Sequence, residues 1–176
     1  SVQSDNTAAI ARAVKYLHNL NHRRIACIAP DTGLASIQCR CEGYRRAMEE
    51  SGLFRPEYLY DRPAPLSAAT GIDALNYFFS LPEPPTAILC SNDLIAQGVH
   101  FRAAQMNISV PRNLSIIGFD GIPLGSAAIP LTTIKHDIPA IAKTLFELCL
   151  HPPKEPRVTI LPTEFIPGQT CGWCSR

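Results

Sequence analysis

The sequence carries no excess charge of either sign. Lys and Arg total 16 and Asp and Glu total 15, a net charge of +1. A nucleic-acid-binding domain usually shows a marked basic excess, so this stretch is not expected to bind nucleic acid itself. No apolar run reaches the roughly 18 residues of a membrane-spanning helix, so no membrane association is expected. The opening SVQSDNTAAIARAV has neither the basic n-region nor the apolar core of a signal peptide. It also lacks an initiator Met, so further residues are expected upstream. Also missing are the nucleophile elbow GxSxG, the phosphate loop GxxxxGKS/T, the dinucleotide fingerprint GxGxxG and the metalloprotease HExxH. None of the five histidines stands at metal-ligand spacing with another His or Cys. No enzyme activity, metal or cofactor is therefore expected.

What is present is ordinary globular material. Hydrophobic residues make up 46% and charged residues 18%, which excludes wholesale disorder. A length of 176 residues suits one compact domain, or one and a fragment. The seven cysteines are odd in number and irregular in spacing. That is no secreted disulfide framework, and a reducing cytoplasm fits better. Cys171-Gly-Trp-Cys174 looks like a redox pair, but no helix follows it to lower a thiol pKa, and one CxxC is half a zinc site. It reads as a tail without chemistry. The 16 prolines gather late in the sequence, where short connections are expected.

Helical and strand patterns alternate with regularity. Asp5 or Asn6 can cap a first helix whose Ala9, Ile10, Ala13, Val14 and Leu17 fall at helical spacing, and Asn21 suits its left-handed end. Short apolar strands follow at Arg24 to Ile28, Tyr58 to Tyr60, Thr86 to Cys90 and Leu114 to Phe119, with a further one at Thr132 to Ile134. Helices are expected from about Ile37 to Glu50 (stopping at Gly52), from Ser67 to before Pro82, and from Asn92 to about Met106. This α/β alternation with nearly continuous apolar strands predicts a doubly wound parallel sheet with helices on both faces. The rhythm then changes. Ile138 to Leu150 is an amphipathic helix in need of a partner surface. The turn HPPKEPR and extended stretches at Val158 to Leu161 and Glu164 to Ile166 complete the sequence.

Ligands of open parallel sheets bind outside the carboxyl ends of the strands. Asn92 and Asp120 stand directly after apolar strands at that rim. A carboxylate accepts hydroxyl hydrogen bonds, and a carboxamide both donates and accepts, which suits a polyhydroxylated or heterocyclic ligand. The alternative at Asn92 is a helix cap, and at Asp120 an Asx-turn. Arg40, early on the second helix, offers a planar fork of donors near the same rim or else a solvated helix charge.

Six stretches occur in an order that resembles one family. They are Val2-x-x-Asp5-Asn6, Asn21-His22-Arg23-Arg24-Ile25-Ala26, Arg40-x-x-Gly43-Tyr44, Pro85-Thr86-Ala87-Ile88-x-Cys90-Ser91-Asn92-Asp93, the run from Val110 to Asp120, and Pro130-Leu131-Thr132-Thr133-Ile134. The chain resembles the effector-binding domain of the LacI/GalR (lactose-repressor) family of bacterial transcription regulators. That resemblance implies a periplasmic-binding-protein-like type I fold: two α/β lobes joined by three crossovers, with a small effector between them. Residues 1–136 would form the C-terminal effector-binding lobe, with crossovers near 1–5 and 134–137. Residues 137–160 would carry the return helix of the other, incomplete lobe. Residues 161–176 would be the final crossover, strand and tail. The helix-turn-helix and most of the second lobe would lie outside the chain, and binding by this portion alone is expected to be weak or lost.

The resemblance also implies site residues. Arg40 is similar to the family's effector-gripping arginine, Asn92 to its rim asparagine and Asp120 to its effector-contacting aspartate. Asp5 matches the first crossover, where capping competes with ligand or hinge duty. After LTTI the family often has Lys-Gln; here Lys135-His136 stands instead, and His136 would hydrogen-bond a ligand in a pH-dependent way. Ser36 and Leu34, in the loop before Arg40, would shape the pocket by position, with no motif to fix them. No aromatic occupies Arg62 to Leu66, so ring stacking on a sugar from that loop is not expected. The implied function is effector sensing of a carbohydrate or nucleoside by a cytoplasmic homodimer. The alternative of the same fold is a periplasmic-type sugar-binding protein serving a transporter.

Overall fold

The computed structural model describes residues 1–122, 129–153 and 155–175. Residue 154, within the Pro-rich turn, and residue 176, at the end of the tail, fall outside them. The elements in chain order are β1 (Val2–Ser4), α1 (Asn6–Asn19), β2 (Ile25–Ile28), α2 (Ala35–Glu50), β3 (Leu59–Tyr60), α3 (Ala68–Phe79), β4 (Ala87–Cys90), α4 (Asp93–Gln105), β5 (Ser115–Asp120), β6 (Thr132–His136), α5 (Ile138–Leu150), β7 (Thr159–Leu161) and β8 (Thr163–Ile166). Tyr58 belongs to a short 3-10 turn, Pro56–Tyr58, rather than to the strand that follows it.

Six strands form one sheet in the order β3-β2-β4-β5-β6-β8. The first five are parallel, as the apolar runs predict. The sheet is not wholly parallel, however: β8 pairs antiparallel with β6. It follows α5 and β7 in the chain, and such an antiparallel strand at the edge of a parallel sheet is a common ending. The strands separate two cores by their alternation. Ile25, Cys27, Leu89, Ile117 and Phe119 face α1 and α2. Ala26, Ile28, Ile88, Cys90 and Ile116 face α3 and α4. β2 and β4 are buried along their whole length, which explains why they carry no polar residue.

Local chemistry sets the helix ends. The Ala8 amide donates to Asp5 Oδ1 at 3.0 Å, capping α1. The Ile95 amide donates to Asn92 Oδ1 at 2.8 Å, capping α4. Asn21 takes the left-handed conformation at φ 68° just past α1, and Gly52 does the same past α2. Ser67 holds the N-cap position of α3 without a side-chain capping bond. Helices α3 and α4 approach closely through two glycines. A methyl group at Gly98 would collide with the Ala68 backbone, and one at Gly71 with that of Ile95.

Two features stand apart. Strands β1 and β7 form a separate parallel pair, and α5 lies against β1 with none of its residues buried. Ile138, Leu145, Phe146 and Leu150 on α5 are exposed. The segment after β8, by contrast, is built into the lobe. The Ile116 amide donates to the Thr170 carbonyl at 2.8 Å, and Thr170 Oγ1 donates back to the Ile116 carbonyl at 2.6 Å. The Gly172 amide donates to Ser115 Oγ, and the Cys174 amide to the Leu20 carbonyl. Buried His22 donates from Nε2 to the Gly172 carbonyl at 3.1 Å, since a carbonyl only accepts. Its Nδ1 faces Thr86 Oγ1 at 2.9 Å. The Cys-x-x-Cys stretch thus has a structural role that its spacing does not reveal.

Candidate functional site

The order of the first five strands reverses direction between β2 and β4, which are neighbours although β3 lies between them in sequence. In sheets of this order a crevice opens there, outside the carboxyl ends of the strands. Arg40 is held at that point. It lies on the inner face of α2 and is 5% exposed. Its Nε donates to Asn6 Oδ1 at 2.8 Å, and its Nη1 donates to the carbonyl of Ser91, at the end of β4. Nη1 also lies 3.5 Å from Asp120 Oδ1. The guanidinium is stacked on Phe119, 3.5 Å from the ring centroid. Such a contact is worth about 0.5–2 kcal/mol when desolvated. Burial pushes the Arg40 pKa down to about 10, against the opposing pull of Asp120 and Asp93. At neutral pH the group keeps its charge.

Asp120 ends β5 with φ 117°, a left-handed conformation that costs a non-glycine residue about 1–3 kcal/mol and that concentrates at functional positions. Its carboxylate is partly exposed. His136, at the end of β6, reaches the same point: Nε2 is 3.3 Å from Asp120 Oδ1 and 3.4 Å from Arg40 Nη2. Its Nδ1 is 2.7 Å from Ser4 Oγ on β1, and its ring lies beside Phe119, 5.2 Å between centroids. A donor fork, an acceptor and an imidazole therefore converge on one patch of the rim. Such a set makes directional hydrogen bonds to hydroxyl groups.

A cavity of about 400 Å³ opens beside this cluster, lined by Ser4, Asn6, Ser36, Arg40 and His136 on one side and by Val2, Gln3, Ile138 and Ile141 on the other. It lies between the large sheet and the β1–β7/α5 unit. A larger cleft of about 490 Å³ runs between α1 and α2, but its lining of Ala11, Val14, Met48 and Leu53 includes none of the clustered groups. Among the described residues no three His, Cys, Asp or Glu side chains gather as metal ligands.

The structure brings Arg40, Asp120 and His136 together and places Ser36 on the cavity wall. It does not bring Asn92 or Asp5 to the cluster. The Asn92 carboxamide caps α4 and turns its Nδ2 to the Leu66 carbonyl, and the Asp5 carboxylate caps α1. Leu34 is exposed at the start of α2. Sequence reading missed Asn6, Ser4 and Phe119, which position Arg40 and His136, and Asp93, which is wholly buried. Asp93 accepts from Thr133 Oγ1 at 2.6 Å and from the Ile122 amide at 2.9 Å, tying the start of β6 to the segment just after β5. Burial raises its pKa, with the hydrogen bonds from Thr133 and Ile122 opposing. Ser91 Oγ is buried with no hydrogen-bond partner.

Residues 14–171 match the family described as periplasmic binding protein-like domain. The chain is an effector-binding domain of the LacI/GalR family. The HTH-type transcriptional repressor CytR of Escherichia coli K12 is 38% identical to it over 136 residues, covering 76% of this chain and 39% of that protein. The ribose operon repressor of the same organism is 34% identical over 140 residues, covering 79% of this chain and 42% of that protein. The chain thus spans about two-fifths of the curated relatives it matches. A LacI transcriptional regulator from a Rhodococcus species superimposes with a TM-score of 0.86 at 25% identity, over 97% of this chain and 63% of that one. A LacI family regulator from Enterococcus faecium with bound ribose shares the fold, with a TM-score of 0.84 at 24% identity, over 99% of this chain and 66% of that one. These relatives are described as repressors and regulators, not as enzymes. No helix among the described residues is long and apolar enough to cross a membrane.

Proposed function

We propose that this LacI/GalR-family domain senses a small polyhydroxylated effector, a pentose or a nucleoside built on one. The observation that carries the reading is the cavity itself. Its polar wall presents Arg40 and His136 beside Asp120, and its opposite wall comes from β1 and α5. A ring of hydroxyls offers donors to Asp120 and acceptors to Arg40 at once. The names of two relatives, a ribose operon repressor and a regulator solved with bound ribose, make pentoses the first class to try.

In this reading β1, α5 and β7 belong to a second lobe, and effector binding stabilises one arrangement of the lobes. Only the difference in affinity between arrangements does regulatory work. The output would be altered operator binding by a helix-turn-helix carried elsewhere in a cytoplasmic homodimer, since dimers read paired half-sites. The transporter-associated alternative has no comparable support, because the relatives are named as repressors.

A thermal-shift screen tests this. The panel is pentoses, hexoses, their phosphates, ribonucleosides and purines, against the protein and its Arg40→Ala and Asp120→Ala variants. Ligand binding raises the melting temperature by linkage. A hit lost in both variants is the expected result. A hit that survives both places the site elsewhere.

A further inference from the structure

Asn6 opens α1, yet capping is not its task. Asp5 already caps the helix by accepting from the Ala8 amide at 3.0 Å. Asn6 is instead 7% exposed, and its carboxamide serves two partners of opposite kind. Its Oδ1 accepts from Arg40 Nε at 2.8 Å, and its Nδ2 donates to the Ser4 carbonyl at 3.0 Å. A guanidinium only donates and a carbonyl only accepts, so the two partners fix which way the amide faces. The start of α1 also rides with α2: a methyl group at Gly43, one turn past Arg40, would collide with the Thr7 backbone. Ser4, by contrast, ends β1, which pairs with β7 and not with the large sheet. The Ser4 hydroxyl donates to His136 Nδ1 at 2.7 Å, so the Nε2 hydrogen goes to Asp120 and no lone pair is left for Arg40. It is through Asn6 that Arg40 is hydrogen-bonded to β1. Resting on the effector-site reading above, we propose that Asn6 is a relay: a positioning residue through which an effector gripped by Arg40 fastens the β1–β7 pair to the lobe.

The contacts run without a break. Phe119 fixes the plane of the guanidinium, and the Ser91 carbonyl and Asn6 fix its rotation within that plane. An effector on Arg40 holds the guanidinium still, the guanidinium holds Asn6, and Asn6 holds the Ser4 carbonyl. Beyond Ser4, the Asp5 amide donates to the Leu161 carbonyl at 2.8 Å and the Thr159 amide to the Ser1 carbonyl at 2.8 Å, so β1 carries β7 with it. Such coupling is reciprocal, and a fastened β1 steadies Arg40 in turn. Opening of a two-stranded pair is a local event, and backbone hydrogen exchange reports it even where overall affinity does not. The relay therefore separates into two parts. The acceptor of Asn6 sets the grip of Arg40, and with it the affinity. The donor of Asn6 passes that grip to β1, and with it the ordering of the pair.

The test uses D-ribose and uridine as probes, with the protein and its Asn6→Asp, Asn6→Ala and Arg40→Ala variants, each checked for folding by circular dichroism. Calorimetry gives the affinity. Peptide-resolved hydrogen exchange, with and without saturating probe, gives the opening of β1 and β7. Aspartate keeps an acceptor for Arg40 but cannot donate to the Ser4 carbonyl, and alanine does neither. In the parent the probe slows exchange of the pair at least about fivefold, the lower end of ordinary coupling between sites. Asn6→Ala weakens binding about tenfold or more, as loss of a hydrogen bond to a charged group does. Asn6→Asp binds at least about threefold tighter than Asn6→Ala, yet in neither variant does the probe slow the exchange by as much as about twofold. A merely structural asparagine would lose affinity and protection together in both. Slowing that persists in Asn6→Asp means that the effector acts on β1 through the cavity wall, and the relay is overturned while the site stands. A parent without slowing, or an Asn6→Asp no tighter than Asn6→Ala, overturns it in the same way. Where Asn6→Ala does not fold, Asn6→Asp decides alone: bound probe without slowing is the expected result, and slowing or failure to bind overturns the relay. If neither probe binds the parent, or binding survives Arg40→Ala, the relay and the effector-site reading fall together.

Discussion

Asp93 offers the sharpest test of how the site is held. Its carboxylate is wholly buried and fixes the Thr133 hydroxyl and the Ile122 amide, so it fastens the start of β6, which carries His136, to the segment just after Asp120. Two opposing effects meet in it. Burial disfavours its charge, whereas its hydrogen bonds favour it; the raised pKa shows that burial outweighs them. The shape of the hydrogen bonding, rather than the charge, is then what the fold uses. Asp93→Ala leaves a buried hydroxyl and a half-buried amide without an acceptor, each costing about 1–3 kcal/mol, offset in part by the lost desolvation penalty. The net cost is about 3 kcal/mol, a fall in Tm of about 6–12 °C for a domain of this size. Asp93→Asn keeps one acceptor and places an amide against the Thr133 oxygen, so its cost is below about 1 kcal/mol. The sign of the pH effect follows. A carboxyl whose folded pKa is raised contributes stability that is full below its unfolded pKa and is lost as the pH rises through the folded one. Asp93→Asn removes that loss, so its stability relative to the parent improves from acid to neutral pH. Urea denaturation of the three proteins at several pH values gives all of these quantities. Equal destabilisation by Asn and Ala, or an Asn variant that worsens towards neutral pH, refutes the reasoning.

Other consequences are smaller in scope. Ser91→Ala deletes a buried hydroxyl that has no partner, so stability is expected to stay level or rise by up to about 1 kcal/mol, and a fall of 1 kcal/mol or more in denaturant contradicts the geometry. Burial lowers the pKa of His22, so the unfolded chain takes up the proton first. The stability His22 contributes is full above the ordinary imidazole pKa and declines as the pH falls towards the folded value; a melting profile in which His22→Gln is just as acid-sensitive removes this cause. Gly98→Ala forces a methyl into the Ala68 backbone and should cost about 3 kcal/mol, near the upper end for overpacking, or prevent folding, whereas circular dichroism showing a parental Tm would mean that α3 and α4 part easily.

The legible parts of this molecule were those in which one residue type has one job. Apolar runs such as Ile25–Ile28 and Ala87–Cys90 can only be buried strands, and Asp120, at the end of such a run, can only stand at the rim. Arg40 drew notice through the family motif around it and His136 as a departure just after one, and the structure places both beside Asp120. Asn92 and Asp5 show the limit, because a helix cap and a ligand contact ask for the same side chains at the same place, and only geometry separates them. Asn6, Ser4 and Phe119 were not legible as site residues. Asn6 meets Arg40 across 34 positions and Ser4 meets His136 across 132, and no local pattern encodes such a meeting. Asp93 hid for the opposite reason: a charged residue after Asn92 at a helix start passes for an ordinary first-turn acid, although the methyl-free face of Gly118 lets it sink against β5.

The segment from Thr163 to Cys174 has a bearing on how the protein is made. It supplies the edge strand beside β6, the backbone partner of Ile116 and the side-chain acceptor of the Thr132 amide, while the strands it completes belong to sequence synthesised much earlier. A nascent chain that has already produced β2 through β6 still lacks this closing segment. Its sheet edge stays open until those residues leave the ribosome, and an unpaired edge of that kind is a template for pairing with other chains.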